Sequence, residues 1–159
     1  MSLKNLGKLL VSIIVAEADG LIGSLATYPA IGTWYSTLVK PSFNPPNWIF
    51  GPVWTILYIL MGVALYLVWE KGTKKKEVRT AMWVYFIHLA INTLWSVVFF
   101  GLHSLFGGFI VILILLGFII VLMKLFYPIN RWSTYLMAPY LVWVSFATIL
   151  NTTLWLLNR

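Results

Sequence analysis

The stretch LFGGFIVILILLGFIIVLMKLF, Leu105 to Phe126, decides the class of this protein: its one charge, Lys124, stands near the end. A membrane span needs about 20 consecutive apolar residues, and this run supplies them without a polar face to show to water. Four more runs qualify on either side of it: Leu6–Thr27, Ile49–Trp69, Ala81–Gly101 and Tyr135–Leu156. Of 159 residues, 61% are hydrophobic, 17% aromatic and only 9% charged, a membrane composition. Irregular backbone cannot face lipid, so the short connections imply one all-α domain over residues 1–159, a compact bundle of five transmembrane helices. The first apolar run is too long for a cleaved signal and lacks a small-residue cleavage site, so it reads as the first span.

The net charge of +7 is unevenly spread. With five spans, one side of the membrane receives Lys4, Lys8, Lys71, Lys74, Lys75, Lys76, Arg79, Lys124 and Arg131, and the other receives Lys40 and Arg159. The positive-inside rule then predicts a cytoplasmic N-terminus in a prokaryotic cytoplasmic membrane, with the first long loop outside. The basic loops are explained by topology and contact with anionic lipid, without nucleic acid. The chain has no cysteine and two histidines, His88 and His103. That excludes disulfides and thiolate chemistry and leaves few metal ligands. No glycine-rich phosphate loop, G-x-S-x-G or internal repeat is present, and neither a cofactor nor a metal site is expected.

One connection is long, residues 28–48, and four of the seven prolines fall between Pro41 and Pro52. Each fixes φ and removes a backbone donor, and ordered loops of this length commonly act as lids. Trp34, Pro41, Pro45, Pro46 and Trp48 are the stiff residues of this lid. Trp69, Trp83, Trp132, Trp34, Trp48 and Trp155 fall near span ends, where interfacial tryptophan is ordinary. Trp54, Trp95 and Trp143 lie inside spans, at depths that let them share a cavity beneath the loop. Helical spacing groups them with polar residues: His88, Asn92, Trp95 and Phe99 form one face, and Tyr140, Trp143, Ala147 and Asn151 another. Trp54, Tyr58, Met61 and Leu65 form a third stripe. Asparagines within spans face the bundle or a cavity, and they also join helices by hydrogen bonds.

Glu17 and Asp19 lie near the middle of the first span, where an acidic group costs about 3 kcal/mol. Two residues apart on a helix, they point about 200° apart. His88 lies at similar depth and is the expected partner for one of them, in a structural bond or a proton-linked role. Ala16, Gly20 and Ser24 make a small-residue stripe for close helix contact, and Gly107 and Gly108 serve packing or dimerisation.

Four strings carry a resemblance to a known family. They are Trp34-Tyr35-x-x-Leu38-x-Lys40-Pro41-Ser42-Phe43-Asn44-Pro45-Pro46 and Trp48-Ile49-Phe50-Gly51-Pro52-Val53-Trp54-Thr55-x-Leu57-Tyr58. The others are Asn92-Thr93-Leu94-Trp95-Ser96-x-x-Phe99-Phe100-Gly101 and Pro139-Tyr140-Leu141-x-Trp143-x-Ser145-Phe146-Ala147-Thr148-x-Leu150-Asn151. Together they closely resemble the translocator protein family, also called tryptophan-rich sensory proteins or peripheral-type benzodiazepine receptors, in a prokaryotic form. The resemblance implies a five-helix bundle, commonly a homodimer. It also implies a site under the first loop for flat aromatic ligands, protoporphyrin IX in nature and benzodiazepines among synthetic ones. Family ligand contacts map onto Tyr35, Trp54, Asn92, Trp95, Trp143 and Ala147. The helical faces add Tyr58, Phe99 and Asn151. The family's light-dependent porphyrin breakdown maps onto Trp54 and Trp143. One departure stands out: the tyrosine of the animal cholesterol motif is Thr152 here, so tight cholesterol binding is not expected. Three roles remain open at this point: a porphyrin sensor that regulates tetrapyrrole metabolism or a stress response, a porphyrin-degrading enzyme, and a transporter.

Overall fold

A computed structural model describes residues 3–159, Lys4 by its backbone alone, so the share of that side chain in the charge asymmetry lies outside the described residues. The chain forms α1 (Leu3–Ile31), the short α2 (Trp34–Thr37), α3 (Asn47–Trp69), α4 (Lys76–Ser96), α5 (Leu105–Phe126) and α6 (Arg131–Leu157). A π-helical segment, Val97–Gly101, continues α4. Five of these helices are long and apolar enough to cross a membrane, α4 together with its π segment counting as one. Side chains such as Ile14, Leu25, Val142 and Ile149 are 60–76% exposed around the bundle. Apolar exposure on this scale belongs against lipid, because a water-soluble monomer rarely shows it.

The span read as Leu105–Phe126 matches α5 in full, while the others run longer than the apolar runs that signalled them. The first helix passes Thr27 and holds Pro29 inside its last turn. The predicted lid of residues 28–48 is accordingly shorter, and part of it is helical. The third span begins at Lys76 and not at Ala81, since its polar first turn is a good helix former that composition alone reads as loop. Local chemistry fixes the later starts. The Ser104 hydroxyl accepts from the Gly107 amide (3.1 Å), and Asn130 Oδ1 accepts from the Trp132 amide (2.9 Å), both standard N-caps.

The long helices close into a ring. α1 packs on α3 and α4, α3 on α6, α6 on α5, and α5 back on α4. At the end carrying the Glu70–Lys75 and Tyr127–Asn130 connections, the ring is filled by Met61, Leu65, Ile119, Leu122, Phe126 and Met137, all buried. There α1 and α3 touch backbone to backbone. A Cβ on Gly62 would stand 2.6 Å from the Ile13 Cα, so only glycine permits the approach. Lys8 lies over the Trp69 ring at this end, 5.4 Å from its centre.

Candidate functional site

Towards the lid end the same helices part around a cavity of about 330 Å³. Its walls follow from helical spacing. α3 contributes Asn47, Phe50, Gly51, Trp54, Thr55 and Tyr58, and α6 contributes Trp143, Ala147, Leu150, Asn151 and Leu154. α1 supplies a stripe from Glu17 through Leu21, Ser24 and Tyr28 to Ile31. All nine residues read from the sequence as ligand contacts line this one cavity: Tyr35, Trp54, Tyr58, Asn92, Trp95, Phe99, Trp143, Ala147 and Asn151. Exposed residues of both α1 (Leu21, Ser24, Tyr28) and α3 (Gly51, Thr55) share in the lining. The cavity is therefore open along the seam between the lid-end halves of these two helices.

The asparagines act as struts for the aromatic walls. Asn92 Nδ2 donates to the Tyr58 hydroxyl (2.9 Å), tying α4 to α3. Asn151 Oδ1 accepts from Trp95 Nε1 (3.2 Å) while its Nδ2 donates to the Leu105 carbonyl (2.9 Å), so one side chain joins α4, α5 and α6. Trp95 stacks on Phe99 with ring centres 5.3 Å apart, and Phe50 meets Trp143 edge-on at 6.0 Å. Trp143 Nε1 is buried without a protein partner.

Phe99 and Phe100 both line the cavity because of the π segment. The Leu102 amide donates to the Val97 carbonyl (2.8 Å), five residues back. The wider turn shifts the side-chain register that a 3.6-residue period would give, and such bulges are frequent at functional sites. His103 follows with φ +53°, in the left-handed region, and its ring stacks on Trp34 at 4.6 Å.

The lid is docked. Tyr35 is 3% exposed and packs with Phe99, Leu150 and Leu154 over the cavity mouth. Its hydroxyl donates to Asn44 Oδ1 (2.8 Å). Burial pushes the Tyr35 phenol up to about 12. Asn158 clasps the loop to the end of α6, accepting from the Val39 amide and donating to the Val39 carbonyl, both at 2.9 Å. Lys40 Nζ lies 4.8 Å from the centre of the Tyr35 ring. Of the expected lid residues, Trp34 packs on Phe99 and His103, while Pro41 and Pro45 are half-buried. Trp48 is 74% exposed and Pro46 is exposed, so neither closes the cavity.

One expectation needs correction. His88 pairs with neither acidic residue: its Nε2 meets the Tyr140 hydroxyl at 2.9 Å in the buried core. Asp19 instead takes a hydrogen bond from Thr93 of α4 (2.5 Å). His88 and Tyr140 also fall outside the lining, as do Met61 and Leu65, because they lie a turn or more deeper on their faces. Gly108 packs against Phe99 and Asn151 inside the bundle, the packing role of the two read for it. Sequence reasoning missed Phe50, Gly51, Phe100 and Leu154 as lining residues, and it left Glu17 without a direction. Phe50 and Gly51 stand four and three residues before Trp54, a spacing that could have found them.

The TspO/MBR family profile matches residues 11–156 of the chain. It is 40% identical over 154 residues to the tryptophan-rich protein TspO of Archaeoglobus fulgidus, covering 97% of this chain and 99% of that one. It is 45% identical over 141 residues to the tryptophan-rich protein TspO of Chlorobaculum tepidum, covering 89% of each. The human translocator protein is 36% identical over 123 residues, covering 77% of this chain and 73% of its own. Five helices that ring an aromatic cavity under a docked loop thus come with similarity along nearly the whole sequence, and the chain belongs to the TspO/MBR family, as an integral multi-pass membrane protein of the sensor and translocator kind.

Proposed function

We propose that the protein binds porphyrins, protoporphyrin IX first among them, and similar flat aromatic molecules, and reports their presence as a membrane sensor of tetrapyrrole metabolism or stress. The observation that carries this reading is the cavity itself. It sits at membrane depth, is walled by Trp54, Trp95, Phe99 and Trp143, and lies beneath a loop docked through Tyr35. A wide apolar ring gains from stacking on such walls, and a few polar groups suffice to orient it. Titration of the purified protein with protoporphyrin IX is expected to quench tryptophan fluorescence saturably. A linear, unsaturable response would overturn the binding claim.

A second reading, light-driven porphyrin breakdown, is favoured by one further observation. Trp54 and Trp143 both face the cavity, and the Trp143 indole N–H lacks a protein partner. If the bound porphyrin is degraded there, illumination bleaches it and Trp143→Phe slows bleaching severalfold at saturating ligand. An unchanged bleaching rate in the variant leaves the sensor alone.

A further inference from the structure

Glu17 is the one charged residue in the lining of the cavity, at the deep end of the α1 stripe. Its Oε1 is buried with no protein partner. Buried polar atoms are normally bonded, and an acidic group within a span is costly. The neighbouring groups do not relieve it. Asp19 is turned to Thr93 on α4, and the Tyr58 hydroxyl on α3 is held by Asn92. Neither of these is a cation. At the other end of the cavity stands Tyr35, its ring covered by Lys40, whose Nζ donates to the Ser36 and Leu38 carbonyls. From Glu17 to Ile31 the lining of α1 rises about 21 Å. A flat ligand in this slot therefore meets Glu17 at its deep end and the Tyr35 ring at the lid end.

We propose that Glu17 anchors a basic nitrogen. The preferred ligand is a flat apolar molecule whose deep end carries a protonated amine or an N–H donor. Any carboxylates it bears point away from Glu17, towards the lid end. This inference rests on the flat-ligand reading above and adds a chemical class and an orientation to it. A carboxyl in the wall of an apolar slot discriminates strongly, because an anion at that position is repelled and a neutral group leaves the carboxyl unpaired.

The test uses the full-length protein in nanodiscs of zwitterionic lipid, which holds electrostatic attraction of the probes to the bilayer low. Three probes are titrated by tryptophan quenching: 9-aminoacridine, which is cationic at neutral pH, the neutral tricyclic anthracene, and protoporphyrin IX. The wild-type protein is expected to bind the amine about tenfold more tightly than anthracene, the scale of one charge-assisted hydrogen bond. Glu17→Gln is expected to reduce that ratio to near one, and Glu17→Asp to keep most of it. The ratio within each variant separates loss of the anchor from loss of fold. Binding of anthracene or the porphyrin without an amine preference, or a preference that survives Glu17→Gln, overturns this inference alone. Saturable binding by none of the three overturns the flat-ligand reading and this inference with it.

Discussion

The two ends of the bundle are built from the same five helices and differ in what fills the ring. At the basic end, small residues let helices touch: Gly62 meets the Ile13 backbone, Ala16 is fully buried, and aliphatic side chains occupy the centre. At the lid end, rings and amides hold the helices apart: Asn92 braces Tyr58, Asn151 braces Trp95, and the space between becomes a cavity. Gly20 marks the change, since a Cβ there would run into the Tyr58 ring. Stability and ligand space are thus separated along the helices, and lining side chains can vary without disturbing the packed half.

That separation can be broken from either side. The largest effect is expected from Gly62→Val, which sets side-chain carbons against the Ile13 backbone where neither helix can yield. Overpacking of this kind costs about 3 kcal/mol. A thermal unfolding curve in detergent should shift down accordingly, and a variant as stable as wild type would show that the helices separate freely there. Next comes pH acting on the lid. The Tyr35 phenol is raised to about 12 in the folded state from an ordinary value near 10. The neutral phenol therefore supports docking fully below pH 10, and that support is lost as pH rises from 10 to 12, by on the order of 2 kcal/mol. The difference in tyrosinate absorbance between wild type and Tyr35→Phe should be a single group titrating near 12. The smallest effect is expected from Asn158→Ala, which removes both bonds to Val39. It should cost about 1 kcal/mol of lid docking, seen as faster hydrogen exchange near Val39 with unchanged global unfolding. Exchange that rises equally in the basic half would mean the two ends are not independent.

Most of the bundle was readable because apolar length is a direct signal, and α5 needed nothing else. The end of α1 was not, because Tyr28-Pro29 looks like a loop start while a proline in a last helical turn forfeits only one bond. The cavity residues were readable where a polar or aromatic side chain marks a helical face, as Asn92 and Trp143 do. Phe100 was hidden for a different reason: the π segment breaks the period from which faces are read. The partners of Asp19 and His88 were also hidden, because depth in a span does not say which neighbour a side chain meets across the ring.

The π segment has one more consequence, for tolerance to changes in chain length. The wide turn between Val97 and Gly101 carries one residue more than an α turn. A single-residue deletion there would let the helix wind with its ordinary period and leave the chain after it nearly in place. Phe99 and Phe100 would then no longer both reach the cavity, while Leu105 and the rest of α5 kept their seats. The second aromatic ring of this wall is thus owed to one surplus residue.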